Sequence, residues 1–275
     1  MVIVGLDVGG TTTKAVALNK RNILAKTVTP TYDHVSSASG ALGKLIHEYK
    51  VNMERIERIA ATGGGREDLG SALFNIPVML VDEIEAIGLG GIFLSGLDEA
   101  LVVSIGTGTA MVSVRDGGRR VKHVGGTGVG GGTLMGIGRC TLGKYRLETL
   151  ERLALMGDVR RVNLTIQDIT GKGVGILPPD ATASNFGKFG DDTRPEDTAI
   201  GIFTLVGEVI GTVAYFAARS EGLEDRIVIV GGLSKSKVLA PIVVSTIELF
   251  SGRAIVPDDS EYCAAIGAAV RIAGD

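Results

Sequence analysis

The sequence predicts an α/β protein of two related lobes, and three observations carry that prediction. Short β-rich apolar runs alternate with stretches of helical spacing along all 275 residues. The pattern of strand, glycine–threonine turn and strand occurs twice, in GLDVGGTTTKAVAL near the start and again in VSIGTGTAMVSV. Glycine, at 41 residues, is at about double its usual share of roughly 7%. It gathers in loops at the ends of those runs and forms no low-complexity tract. The length suffices for one large domain or two small ones, and the expected division is 1–98 and 99–275.

Composition narrows the function. An apolar fraction of 45% with 21% charged residues describes a soluble globular protein. A net charge of −3, few aromatics and no Trp leave no basic footprint or base-stacking platform for nucleic acid. Cys140 and Cys263 lie far apart with no metal spacing and read as buried small hydrophobes. The first apolar run has no basic region before it and is too short and glycine-broken for a signal peptide or membrane span. A cytoplasmic protein without membrane contact is expected.

The opening run ends in Asp7, followed by Gly9-Gly10-Thr11-Thr12-Thr13-Lys14 and a second run at 15–18. Two β-rich runs about a glycine turn predict a hairpin. Adjacent glycines let backbone N–H groups approach an anion, threonines add donors, and Asp7 could hold hydrated magnesium beside phosphates. An ordinary hairpin with a solvated Asp would read the same. The turn is neither a Walker A loop nor a dinucleotide fingerprint.

Residues 22–29 predict a third strand. Residues 36–50 have helical spacing, with Ser39 as the cap. Residues 56–62 predict a strand that ends in Gly63-Gly64-Gly65-Arg66, read as a flexible turn or a loop feeding a helix N-terminus. A buried strand at 78–81 runs into Asp82-Glu83-Ile84-Glu85 and a glycine-weakened helix at 84–93. Those acids either cap the helix or include a general base facing the phosphate loop.

Strands at 100–104 and 110–114 flank Ile105-Gly106-Thr107-Gly108-Thr109, the second copy of the opening pattern. Residues 125–138 then hold the densest glycine cluster, interleaved with Val, Leu, Met and Ile. An entropic cost of that size points to backbone donors meeting a nucleotide. Residues 147–156 predict a helix and 158–172 a more polar helix and turn. Pro178-Pro179-Asp180 breaks the chain before a small-residue loop at 181–187. A long helix at 199–219 is apolar all round, which implies burial on several sides. A strand at 226–230 and a helix at 262–272 close the chain.

The opening hairpin resembles the first phosphate loop of the actin, Hsp70 and sugar-kinase superfamily. Taken together, the loops resemble the type II (eukaryotic-like) pantothenate kinases. The resemblance rests on GLDVGGTTTK, ATGGG at 61–65, VDEIEA at 81–86, VSIGTGT at 103–109, GGTGVGGGTLMGIG at 125–138, ATASNFG at 181–187 and VGEVIGT at 206–212. It implies two ribonuclease-H-like (actin-like) lobes with a nucleotide cleft between them, and a homodimer. It also implies ATP-dependent phosphorylation of pantothenate, the first step of coenzyme A biosynthesis. By that resemblance Glu83 is the catalytic base and Asp7 serves Mg²⁺. Gly9, Gly10, Thr11, Thr12 and Lys14 hold the β- and γ-phosphates of ATP. Thr107, Gly131, Gly132 and Thr133 line the nucleotide, Gly232 closes over the adenosine, and His123, Thr109 and Thr127 meet the small-molecule substrate.

One position departs from the family. His123, with Lys122 beside it, stands where the family carries an Arg that engages pantothenate. Arg presents a permanent planar fork, whereas His is half charged near its pKa of about 6.5. Weaker carboxylate binding, participation by Lys122, or another small hydroxyl acceptor each accommodates the change. Three other readings stay open: a sugar kinase, an iron–sulfur activator ATPase with a similar TG-x-GR stretch, and a non-catalytic ATP-binding regulator.

Overall fold

The computed structural model describes residues 2–274. Met1 and Asp275, the outer ends of the two expected lobes, lie outside the described residues. In chain order the elements are β1 (Val2–Val8), β2 (Thr12–Asn19), β3 (Asn22–Pro30), α1 (His34–His47), β4 (Ile56–Thr62), β5 (Ala72–Leu73), β6 (Ile76–Leu80) and α2 (Glu83–Ser95). There follow β7 (Ala100–Ile105), β8 (Thr109–Arg115), β9 (Arg120–Thr127), α3 (Gly131–Leu142), α4 (Leu147–Ala154), β10 (Leu164–Thr165), α5 (Ile166–Thr170) and β11 (Thr182–Ser184). The last are α6 (Pro195–Glu221), β12 (Ile227–Val230), α7 (Leu239–Leu249), β13 (Ala254–Ile255) and α8 (Cys263–Ala273).

The contacts divide the chain into two units. One comprises the residues through Val102, Val112–His123 and those from Pro257 onward; the other comprises Val103–Met111 and Val124–Val256. The first unit holds a six-stranded sheet in the order β3-β2-β1-β4-β6-β5. The five-stranded sheet follows the same plan, since β9-β8-β7-β12-β13 repeats β3-β2-β1-β4-β6. The recurring hairpin is therefore the visible part of a longer repeat.

In the first unit β1 is buried on both faces. Val2, Val4, Leu6 and Val8 join Leu42 and Leu45 of α1 in one core, while Ile3 joins Ala268 and Ala269 of α8 in another. That is the period of two expected of a strand between helical layers. The glycines that weaken α2 by propensity let it meet α8 closely. A Cβ on Gly90 would stand 2.0 Å from the carbonyl oxygen of Cys263, and one on Gly267 would stand 1.8 Å from that of Ala86.

The N-cap of α1 is Asp33, which accepts from Ser36 N at 2.7 Å. Ser39 lies inside the helix, because the apolar stripe begins a turn earlier than its first large residue. No α-helix follows Gly65; the chain makes a short 3₁₀ helix over Arg66–Leu69. Residues 181–187 include β11, which pairs with β10.

In the second unit α6 runs 27 residues with Pro at its first turn. Its all-round apolarity is explained inside the unit, where it meets α3, α4 and α7. It is long and apolar enough by composition to cross a membrane, yet 61% of that apolar window is buried. It is a core helix. Cys263 is buried as expected, whereas Cys140 is exposed on α3.

Candidate active site

In the first unit the chemistry-bearing residues gather at the carboxyl edge of the parallel strands β1, β4 and β6. Asp7 stands opposite Thr62, and Ala61 opposite Leu80, so the loops that follow open on one edge of the sheet. Ligands of α/β sheets bind at such edges.

The β1–β2 turn closes through Gly9 N, which donates to Thr12 O at 3.2 Å. Gly10 and Thr11 are exposed, and among the described residues their amides donate to no protein acceptor. Open N–H groups on a turn without a Cβ at Gly10 suit an anion. Lys14 faces Asp7 across the ladder, Nζ to carboxylate 3.7 Å. Burial pushes the Asp7 pKa up, against the charge and hydrogen bond of Lys14.

Gly63 fixes the next loop against this acid. Its φ is +87°, and a Cβ there would stand 2.7 Å from Val8 O and 2.8 Å from Asp7 Oδ1. Gly65 N donates to Val8 O at 3.0 Å, and Arg66 Nη1 donates to Gly63 O at 3.2 Å. The hydroxyl of Thr62 is buried and has no hydrogen-bond partner among the described residues.

The acids after β6 divide their tasks. Asp82 is the N-cap of α2, accepting from Ile84 N at 2.9 Å and Glu85 N at 3.1 Å. Glu85 pairs with Arg271 at 2.8 Å. Glu83 is left with neither duty. Its side chain opens to solvent, yet partial desolvation first, and the Asp7 carboxylate second, push its pKa up while Arg66 pulls it down. A carboxyl group held above its ordinary value beside a second acid is suited to take a proton near neutral pH.

Magnesium keeps several waters and takes one or two carboxylates together with substrate phosphates. Asp7 offers such a carboxylate, with the unpartnered Thr62 hydroxyl near it. No group of three His, Cys, Asp or Glu gathers among the described residues. The residues therefore fit magnesium bound largely through phosphate and water.

In the second unit Gly106 N donates to Gly108 O at 2.8 Å, and the amides of Thr107 and Gly108 have no protein acceptor among the described residues. The first turn of α3 docks on this loop: Gly131 N donates to Gly106 O at 2.8 Å and Gly132 N to Thr107 O at 2.9 Å. Those two glycines thus contribute close approach, since their own donors are taken. Thr133 Oγ1 donates to Gly128 O at 3.1 Å and accepts from Gly130 N at 3.2 Å. Gly232, exposed after β12, precedes Leu233, whose amide donates to Ile105 O at 3.1 Å. Thr109 Oγ1 is held by Val129 O at 2.9 Å, and Thr127 Oγ1 accepts from Val129 N at 3.2 Å. His123, which belongs to the first unit, is exposed on β9.

The structure thus brings Asp7, Gly9, Gly10, Lys14 and Glu83 to one sheet edge of the first unit. It brings Thr107, Gly131, Gly132, Thr133 and Gly232 to one loop cluster of the second. The sequence reading gives no role to Thr62 or Arg66; the available signal was a cation directly after three glycines.

Comparison with known proteins gives the family and the fold. Residues 99–271 match the family described as Fumble. A type II pantothenate kinase of Bacillus cereus (strain ATCC 14579) is 31% identical over 277 residues, covering 96% of both chains. Among solved structures, the activator of the 2-hydroxyisocaproyl-CoA dehydratase from Clostridium difficile with bound ADPNP superposes with a TM-score of 0.69 at 19% identity. It covers 100% of this chain and 95% of that one. A ROK family glucokinase from Streptomyces griseus in complex with glucose and AMPPNP gives 0.64 at 12% identity, covering 98% of both. These likenesses show the fold, two α/β lobes of the actin-like kind. The chain belongs to the Fumble family, with the type II pantothenate kinases.

Proposed function

We propose that the protein is an ATP-dependent kinase that phosphorylates pantothenate on its primary hydroxyl, the first step of coenzyme A biosynthesis. The observation that carries this reading is Glu83. Among the described residues it opens α2 free of capping and ion pairing, with its pKa raised by partial desolvation and the Asp7 charge, in a chain that a type II pantothenate kinase matches over 96% of its length.

Gly9, Gly10, Thr11, Thr12 and Lys14 hold the β- and γ-phosphates, through the open amides of the turn and the Lys14 ammonium. Asp7 would hold magnesium, directly or through water, and the chemistry so supplied would be charge neutralisation at the phosphates. Thr107, Gly131, Gly132 and Thr133 line the nucleotide, with Gly232 beside the adenosine. Glu83 accepts the proton of the acceptor hydroxyl as its oxygen bonds to the γ-phosphorus. The bond from that phosphorus to the β–γ bridging oxygen breaks, and ADP leaves. Positioning and charge neutralisation supply most of the rate, and a placed base adds about 10²–10⁴-fold.

His123 and Thr127, with Thr109 bracing the loop behind them, serve the acceptor. The imidazole replaces a permanent planar fork, so acceptor affinity should strengthen in His123→Arg. We also read the protein as a cytoplasmic homodimer. Exposed Leu155, Met156, Ile169, Ile176 and Phe189 of the second unit are the apolar surface such an interface would cover. Light scattering of the purified protein tests that part.

Turnover against a panel of acceptors tests the activity. Pantothenate should stimulate ADP release well above hexoses and simple diols. Stimulation by a hexose alone would move the assignment to a sugar kinase. The activator reading finds less support, since Cys263 is buried with its thiol donating to Ile87 O at 3.4 Å, no position for a surface cluster ligand.

A further inference from the structure

The loop after β4 places a cation in the first unit to which the reading above gives no task. Arg66 is half-buried, and among the described residues its side chain hydrogen-bonds one partner, the neutral carbonyl of Gly63 at 3.2 Å. Among the described residues it forms no ion pair with a carboxylate, whereas Lys14 is already set against Asp7 at 3.7 Å. A guanidinium has five N–H donors in a planar fork, so most of its donors and its whole charge stay open.

Its position is fixed from two sides. Gly65 N is tied to Val8 O at 3.0 Å, directly after Asp7, and Gly63 lies so close that a Cβ would stand 2.8 Å from the Asp7 carboxylate. The guanidinium folds back onto this same Gly63. Its charge also pulls the Glu83 pKa down. Arg66 and Glu83 follow the paired ends of β4 and β6, where Val81 N donates to Ala61 O at 2.8 Å, so the cation shares one sheet edge with the acid proposed for the phosphate-bound ion and the base proposed for the acceptor hydroxyl. Charge needs it there as well. Two carboxylates, Asp7 and Glu83, face an incoming polyphosphate, and Lys14 cannot offset both.

We propose that Arg66 is a second catalytic group, whose guanidinium bonds the equatorial oxygens of the γ-phosphoryl group as it passes from ADP to the acceptor oxygen. The proposal rests on the kinase reading and adds to it a cation supplied by the chain itself. The loop Gly63–Arg66 then has one purpose: the glycines let it lie on Asp7 so that the fork points across the reacting phosphorus. The acceptor carboxylate is the less fitting target, because in extended pantothenate it lies several bonds from the hydroxyl that Glu83 must meet.

The test is a comparison of Arg66→Ala and Arg66→Lys with wild type. Removing a preorganised donor to transition-state charge costs on the order of 10²–10³-fold in kcat. Arg66→Ala should lose about that much, with KM for ATP and pantothenate within a few-fold of wild type. Arg66→Lys should remain well below wild type, since a point charge lacks the fork. Millimolar guanidinium ion should restore part of the Arg66→Ala rate and leave Arg66→Lys unchanged. A raised KM for pantothenate at unchanged kcat would overturn the proposal in favour of an acceptor contact. Loss of ADP binding and melting temperature together with the rate would make Arg66 a loop brace. If wild type phosphorylated no pantothenate, the acceptor assignment would be at fault. Slow ATP hydrolysis, with water in the acceptor's place, would still judge Arg66: a proportionate fall in Arg66→Ala supports it, and none refutes it.

Discussion

Gly63→Ala isolates the contact that holds the loop onto Asp7. An L-residue at φ +87° is strained by about 1–3 kcal/mol. The added Cβ would also stand 2.7 Å from Val8 O and 2.8 Å from Asp7 Oδ1, closer than real Cβ contacts come. Both neighbours belong to a strand buried on both faces, so relief must come from the loop. Overpacking of this kind costs a further ~1–3 kcal/mol. The expected total is about 2–6 kcal/mol, read as a drop in the urea midpoint without a change in slope. Gly64→Ala is the control: Gly64 is exposed, its φ is not positive, and a Cβ there meets nothing within 4 Å. It should shift stability by less than about 0.5 kcal/mol. Turnover should fall further in Gly63→Ala than stability explains, because the displaced loop carries Arg66 and bears on Asp7. Equal stability of the two variants would refute the reasoning.

Three further outcomes follow from the titrating groups. Glu83 must be ionised to act, and its pKa is raised. The rate kcat/KM should therefore fall as pH drops through a value above the ordinary carboxylate range of about 4.3, and Arg66→Ala should move that limb higher still. Asp7 has a raised folded pKa, so its stabilising contribution is full below its unfolded value and is lost as pH rises through the folded one. At neutral pH the charged carboxylate therefore costs stability, and Asp7→Asn should melt no lower than wild type while losing magnesium-dependent turnover. Asp197 is the opposite case. Its side chain is 2% exposed, bonds Arg194 at 2.7 Å and Asp158 N at 2.8 Å, and has its pKa pulled down to about 2. Its contribution is present above its unfolded pKa of about 3.9 and is lost as pH falls towards 2. Asp197→Ala should cost about 1–3 kcal/mol at neutral pH, because it leaves the half-buried Asp158 amide unmatched and Arg194 without its carboxylate.

Much of this was legible in the sequence, for identifiable reasons. Val2 to Val8 is apolar on both faces and ends in an acid before two glycines, so strand, turn and anion seat all follow from local chemistry. Helix α6 was legible because its run of apolar residues is long and begins soon after Pro195. Its all-round apolarity implied burial on several sides, and α3, α4 and α7 of the same unit supply it. The three acids after β6 were ambiguous in sequence. Only the backbone geometry that turns Asp82 into a cap and brings Arg271 to Glu85 leaves Glu83 for chemistry. The glycines of α3 read as donors; their amides are engaged by Gly106 and Thr107, a tertiary contact that no local pattern encodes. Arg66 was illegible for the same reason, since its worth depends on Gly63 lying against a strand more than fifty residues earlier.

The most direct measurement is a phosphorus NMR time course of wild type and Glu83→Gln with ATP, Mg²⁺ and pantothenate. Wild type should convert ATP to ADP while an equal amount of phosphomonoester, phosphopantothenate, appears. Glu83→Gln should bind ATP as tightly and form that product at least about 10²-fold more slowly. Phosphomonoester formed at near wild-type rate by Glu83→Gln would contradict the central claim, and reduce Glu83 to an exposed residue at the start of a helix.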